Sequence, residues 1–221
     1  KPGLIPDKEW KIENFGETWQ PGETIVASIG QGYMLTTPLQ LAVMTARIAS
    51  GRAVEPRLIR MVNDQDMPQA EAPPLEVMAE HLAAVRQGMN AVVNGERGTA
   101  KSSRIVEPTM VMAGKTGTSQ VRNITAAERP AGVISNDDLP WNRRDHALFV
   151  GFAPYDAPRY AVAVVVEHGG GGSTAAAPIA RDVILAATVQ REQQSGRLEM
   201  KDGRTFEFAG VPLPDGNGLL A

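Results

Sequence analysis

The sequence predicts an α+β chain in which an antiparallel sheet packs with helices. Two observations carry this. Helices are predicted over 37–50 and 78–93, where apolar residues recur at helical spacing, and over 176–190 after a glycine run. Apolar, β-branched strands are predicted over 111–121, 147–153 and 160–167. The last two are joined by Pro154-Tyr155-Asp156-Ala157-Pro158-Arg159, which supplies the turn chemistry of a hairpin.

Residues 1–23 are rich in Pro, Gly and Trp and read as irregular, with Gly3-Leu4-Ile5-Pro6 as a short extended piece. Gly30-Gln31-Gly32 reads as a tight turn. In the 37–50 helix Thr37 is the cap, Pro38 suits the first turn, and Gln40 completes a capping box. Leu39, Val43, Ala46 and Ala49 line one face, and Gly51 ends the helix. A short strand is expected over 55–61 and a polar surface loop over 63–74. The 78–93 helix carries Leu82, Val85, Met89 and Val92 on one side. Asn94-Gly95 ends it, and Gly98-Thr99-Ala100 starts a further turn. The polar connection over 122–143 is long enough to shape a cleft or meet a partner. Gly169–Gly172 can hold an anion at a helix start or act as a flexible connection, and the second reading is favoured. Residues 191–221 read as a peripheral tail with a hairpin signal at Asp202-Gly203.

The chain has 221 residues, a formal charge of −3 and no cysteine. Disulfides, thiol catalysis and thiolate metal sites are thereby excluded. There is no electrostatic case for nucleic acid or an anionic membrane as partner. No stretch is long and apolar enough to span a bilayer. His81, His146 and His168 lack spaced partners, so no metal or cofactor is expected. His146, after Arg144-Asp145, reads as part of a polar cluster at the start of a strand. His168 reads as a solvated residue at a strand end.

The octet Ala113-Gly114-Lys115-Thr116-Gly117-Thr118-Ser119-Gln120 holds the most chemistry. An ammonium beside hydroxyls and backbone N–H groups suits a carboxylate or an oxyanion. A phosphate-binding loop would need glycine where Thr109 stands and a helix directly after the lysine, and neither is present. Two readings remain on these residues alone: a strand lining an acyl-transfer site, or an exposed edge strand with an incidental lysine.

The wider pattern decides between them. Lys115-Thr116-Gly117 is preceded by Gly30-Gln31-Gly32-Tyr33 and by Thr37-Pro38-Leu39-Gln40-Leu41-Ala42. It is followed by Arg144-Asp145-His146-Ala147-Leu148-Phe149-Val150-Gly151-Phe152-Ala153-Pro154-Tyr155. In order and spacing this resembles the C-terminal half of the transpeptidase domain of class B penicillin-binding proteins, most of all the elongation-specific penicillin-binding protein 2 group. The resemblance runs from about Lys1 to about Val189. It implies residues 1–190 as the C-terminal portion of that domain and 191–221 as a tail.

The family attacks with a serine in Ser-x-x-Lys and uses a Ser-x-Asn or Ser-x-Asp element before the Lys-Thr-Gly. None of Ser28, Ser50, Ser102, Ser103, Ser119, Ser135, Ser173 and Ser195 has lysine three residues on. Ser135-Asn136-Asp137 lies after the Lys-Thr-Gly and is a chance match. The nucleophile, its base and the second motif are therefore expected N-terminal to Lys1.

The resemblance implies peptidoglycan D,D-transpeptidation through a serine acyl-enzyme, with β-lactams acylating the same serine. It implies catalytic roles for Lys115 and Thr118, and substrate contacts for Thr116, Gly117, Thr118 and Gln120. Stem peptides, β-lactams, the missing N-terminal half of the domain and elongation-complex proteins are the implied partners. The parent would lie at the periplasmic face of the bacterial inner membrane, its anchor outside this chain. The resembled fold has five antiparallel strands, the first two from upstream sequence, so the 160–167 strand is expected to be a bare edge along which the isolated chain dimerises, swaps elements or needs the missing half. The rival readings are a non-catalytic interaction module and a fragment of a β-lactam sensor or hydrolase. The 144–155 segment and the Gly-Gln-Gly turn argue against the sensor or hydrolase.

Overall fold

A computed structural model describes residues 2–59, 61–62, 65–68, 71–122, 130, 132, 134–193, 196–199 and 205–208. The chain divides into two compact units, Lys1–Leu41 and Ala42–Ala221. No helix among the described residues is long and apolar enough to cross a membrane.

The first unit is more regular than its composition suggests. Helix α1 (Lys8–Phe15) is capped by Asp7, whose carboxylate accepts from Trp10 N at 2.7 Å, and it ends at Gly16 in the left-handed region. Helix α2 (Pro21–Ser28) starts on a proline, and Glu23 reaches back to Gln20 N at 2.6 Å. α1 and the first residues of α2 fall in the 1–23 stretch that reads as irregular, because each helix has only eight residues, too few to display a helical period. A half-buried ion pair staples them: Lys11, 3% exposed, lies 2.6 Å from Glu23, which is 23% exposed. The backbone bond from Gln20, then Lys11 itself, hold the Glu23 carboxyl below its ordinary range, and the bond to Glu23 raises Lys11. Leu4 pairs with Leu35, as the extended piece predicted, and Gly30 and Gly32 take positive φ at the predicted turn.

Helix α3 (Pro38–Ser50) carries the predicted box. Thr37 N donates to Gln40 Oε1 at 2.9 Å, and Gln40 N donates to Thr37 Oγ1 at 3.2 Å. Gly51, at φ 70°, closes it by donating to Arg47 O. The buried stripe is Ala42, Thr45 and Ala49, and Leu39 stays 43% exposed.

In the second unit no strand forms over 55–59. Two-residue strands β1 (Met61–Val62) and β2 (Gln65–Asp66) pair instead, and β2 lies inside the expected loop. Helix α4 (Ala79–Asn94) buries Met89 and Val93 and leaves Val85 48% exposed. The sheet has the order β3 (Ala113–Ser119), β4 (His146–Ala153), β5 (Tyr160–Val166), all antiparallel. Helix α5 (Ala177–Gln193) follows a five-residue π-turn, Gly172–Ala176. Period-two alternation gives β4 two apolar faces. Phe149 and Ala147 join Met112, Val162, Ala180 and Ile184 in one core. Phe152 joins Ala49, Met89, Ala113 and Ala161 in a second. At the β4–β5 turn, Arg86 of α4 donates to Tyr155 O at 3.0 Å and lies over the Phe152 and Tyr155 rings. In the tail, β6 (Gly196–Glu199) pairs with β7 (Thr205–Phe208), and the Asp202-Gly203 signal lies outside the described residues. So does much of the 122–143 connection.

Candidate active site

Strand β3 leaves the core as it runs. Ala113 and Gly114 are buried, Lys115 is exposed, Thr116 and Gly117 are half-buried, and Thr118 and Ser119 are exposed. β4 covers one of its sides, and β3 is an edge strand among the described residues. Thr116 and Thr118, two residues apart, leave the strand on one face, and Lys115 leaves on the other. The Lys115 ammonium turns back to donate to Thr116 O at 2.6 Å, which brings the charge to the strand's backbone. The octet therefore presents a cation, two same-face hydroxyls and a length of open strand together. Gln120 lies just past the last strand residue and is exposed. The strand is shorter than the predicted 111–121. Val111 O accepts from Tyr155 N at 2.8 Å, and Val121 N donates to Asp145 Oδ1 at 3.2 Å, so both ends bond outside the ladder.

Glycines let the backbones meet. Gly114 faces Gly151 across β3 and β4, and the buried Phe149 ring lies over the pair. A Cβ on Gly151 would come 2.7 Å from that ring, and one on Gly114 would meet the ring and Val150 O. At Gly117 the first residue of the π-turn closes in. A Cβ on Gly172 would meet Leu148 O and stand 2.5 Å from Gly117 O. The favoured reading of the glycine run as a flexible connection is thus corrected. Its last member is a packing contact against the back of the Lys-Thr-Gly strand, and Gly170 N donates to Asp145 O at 2.9 Å.

Past the strand lies the polar cluster that the sequence placed around His146. Asp145 N donates to Asn136 Oδ1 at 2.9 Å, and Asn136 Nδ2 donates to Asp145 Oδ2 at 3.4 Å. His168 N donates to His146 Nδ1 at 2.9 Å. His168 Nδ1 lies 2.8 Å from Arg144 O, and its ring meets Trp141 edge-on at 4.4 Å. His168 is therefore half-buried and bonded rather than solvated, because its φ of 54° turns it back onto β4. Sequence reasoning also missed Thr99, whose hydroxyl stands 3.0 Å from Thr116 Oγ1. Only a fold that folds the end of α4 back beside β3 could bring them together.

A family profile for the penicillin binding protein transpeptidase domain matches residues 3–185. The peptidoglycan D,D-transpeptidase MrdA of Haemophilus influenzae is 36% identical over 186 residues, 81% of this chain and 28% of the relative. MrdA of Acinetobacter baumannii is 38% identical over 173 residues, 76% of this chain and 25% of the relative. Among solved structures, Pseudomonas aeruginosa penicillin-binding protein 2 in complex with WCK 5153 superposes at a TM-score of 0.67 with 39% identity, covering 83% of this chain and 38% of that one. The Helicobacter pylori penicillin-binding protein 2 complex with MreC gives 0.68 with 33% identity, covering 86% of this chain and 31% of that one. The chain belongs to the penicillin-binding protein transpeptidase domain family. It spans about a quarter of the length of the curated relatives it matches.

Proposed function

We propose that the complete protein is a serine-type peptidoglycan D,D-transpeptidase and that this chain supplies the strand wall of its active site. The observation that carries the reading is the Lys115-Thr116-Gly117-Thr118 run at a sheet edge, with Lys115 and Thr118 both exposed and the Lys115 ammonium held at the strand backbone. In this reaction a serine hydroxyl attacks the carbonyl of the penultimate D-alanine of a stem peptide. The peptide C–N bond breaks, D-alanine leaves with a proton, and an acyl ester remains. An amine of a neighbouring stem peptide then displaces the serine, which recovers its proton as the cross-link forms. A β-lactam acylates the same serine by ring opening.

No serine of this chain has lysine three residues on, and we assign the nucleophile to a Ser-x-x-Lys segment N-terminal to Lys1. Lys115 supplies positive charge beside it. The Thr116 and Thr118 hydroxyls hold the terminal carboxylate of substrate or drug. Gly117 lets the substrate backbone lie along the strand, and the Thr118 N–H is one of two donors to the oxyanion. Gln120 lines the cleft. The complete protein works at the periplasmic face of the inner membrane with elongation-complex proteins. The Helicobacter pylori relative solved with MreC supports that choice of partner.

Labelling with a fluorescent penicillin, read by intact mass, tests the reading. The complete protein is expected to take one adduct and this chain none. An adduct on this chain would move the nucleophile onto one of its own serines. No adduct on either would favour a non-catalytic module.

The sheet adds a second expected result. β5 pairs with β4 on one side, and its other edge has no strand partner among the described residues. Its Ala-Val-Ala-Val-Val-Val run has the composition of an edge that seeks pairing. The isolated chain is expected to sediment as a dimer joined along β5. A monomer across the micromolar range would overturn this.

A further inference from the structure

We infer that Thr99 is a positioning residue of this site: its hydroxyl directs the Thr116 proton outward, so that the site selects acyl donors bearing a free carboxylate. The inference rests on the acyl-transfer reading above and goes beyond it by assigning the basis of carboxylate selection to a residue outside the Lys-Thr-Gly strand.

Thr99 sits on the turn that follows α4, and the backbone around it is fixed. Gly98 N donates to Gly95 O at 3.1 Å, Ala100 N to Val92 O at 3.0 Å, and Lys101 N to Gly98 O at 3.2 Å. A Cβ on Gly98 would run into Val92 O and stand 2.7 Å from Ala91 O, so the turn closes this tightly only with glycine. Ala100 is fully buried in the core that holds Phe149. Asn94 Nδ2 donates to Met112 O at 2.9 Å and ties the end of α4 to the approach to β3. The Thr99 side chain is exposed, yet the backbone on either side of it cannot drift from Thr116.

A threonine hydroxyl has one proton and two acceptor positions. In the 3.0 Å contact either oxygen can donate, and the two choices have opposite consequences. If Thr116 gives its proton to Thr99, it offers a carboxylate only lone pairs, which repel it. If Thr99 gives the proton, the Thr116 O–H turns outward on the face it shares with Thr118. A carboxylate binds the second arrangement and selects it. A donating Thr99 therefore holds the Thr116 proton outward and polarises that hydroxyl before the carboxylate arrives, and serine can do the same. Valine neither donates nor accepts, so it leaves the Thr116 hydroxyl unfixed and unpolarised. A neutral ester gains far less from the outward proton, since hydrogen bonds to charged acceptors are about twice as strong as neutral ones.

The test uses the complete protein and compares second-order acylation rates with benzylpenicillin and with its methyl ester. Thr99→Val is expected to slow the acid roughly tenfold and leave the ester within about twofold, lowering the acid-to-ester ratio by about an order of magnitude. Thr99→Ser is expected to restore the ratio. Thermal unfolding checks that each variant folds, and Thr99→Ala replaces the valine variant if that one does not. Equal slowing of acid and ester, no change in the ratio, or failure of serine to restore it would each overturn the inference and leave the enzyme reading standing. A wild-type protein that neither compound acylates would sink that reading and the inference with it.

Discussion

A Gly172→Ala protein is expected to unfold roughly 5–10 °C below its parent, a loss of about 2–3 kcal/mol. Gly172 does not take the left-handed backbone that favours glycine, so the cost comes from space alone. Its missing Cβ would lie against Leu148 O, 2.5 Å from Gly117 O and 3.0 Å from Gly117 N. All three are main-chain atoms in the middle of the β3–β4 ladder, where Gly117 and Leu148 face each other. A clash with a flexible side-chain end relaxes by rotation. A clash with two paired strands relaxes only by moving the π-turn off the sheet, which uncovers Ala176 and Ala177 in the core behind it. Gly88 gives the opposite sign. It is in the interior of α4, and a Cβ there meets nothing within 4 Å. Gly88→Ala is expected to stabilise by about 1 kcal/mol through helix propensity. Thermal melts of the two variants check both. An unchanged midpoint for Gly172→Ala would mean that the π-turn does not pack on Gly117 as described.

The contrast between these glycines marks what a sequence displays. Thr37 and Gln40 close a capping box because partners three residues apart meet whatever the rest of the chain does. The β4–β5 hairpin is equally local. Gly114, Gly151 and Gly172 carry no such signal, since what each touches is set by strands and turns distant in sequence. The same limit hid Thr99, seventeen residues from Thr116, and His168, twenty-two from His146. Helices α1 and α2 were hidden for another reason. They are short, and their stability rests on a cap and on the Lys11–Glu23 pair rather than on an apolar face with a readable period.

Gly117 joins the two kinds of constraint. Its place in the Lys-Thr-Gly motif invites a purely functional explanation, in which a substrate backbone needs room. The structure adds a packing reason on the other side of the strand, where Gly172 comes against its carbonyl. A Cβ at Gly117 itself would stand 3.3 Å from Leu148 Cβ, close enough to need a small shift and no more. Bare backbone at this point thus serves both the open edge of β3 and the close seat of the π-turn.

Removing the charge from the same strand has the second large expected effect. Lys115→Ala in the complete protein is expected to lower the rate of acylation by penicillin about a hundredfold to a thousandfold. That is the range seen when one preorganised electrostatic contact is removed from an acyl-transfer site. The Lys115 ammonium is held at the strand backbone, 2.6 Å from Thr116 O, on a strand that is an edge among the described residues. Lys115 is exposed and outside both cores, so the alanine variant should keep its thermal midpoint while it loses rate. This separates it from the glycine variant, which loses stability first. Lys115→Arg is expected to recover only part of the rate. The planar guanidinium keeps the charge but spreads it over a fork that does not reproduce a compact ammonium bonded to one carbonyl. Stopped-flow acylation with a chromogenic β-lactam measures all three proteins. Full-rate acylation by the alanine variant would remove Lys115 from the site and leave the strand's two hydroxyls as its remaining chemistry.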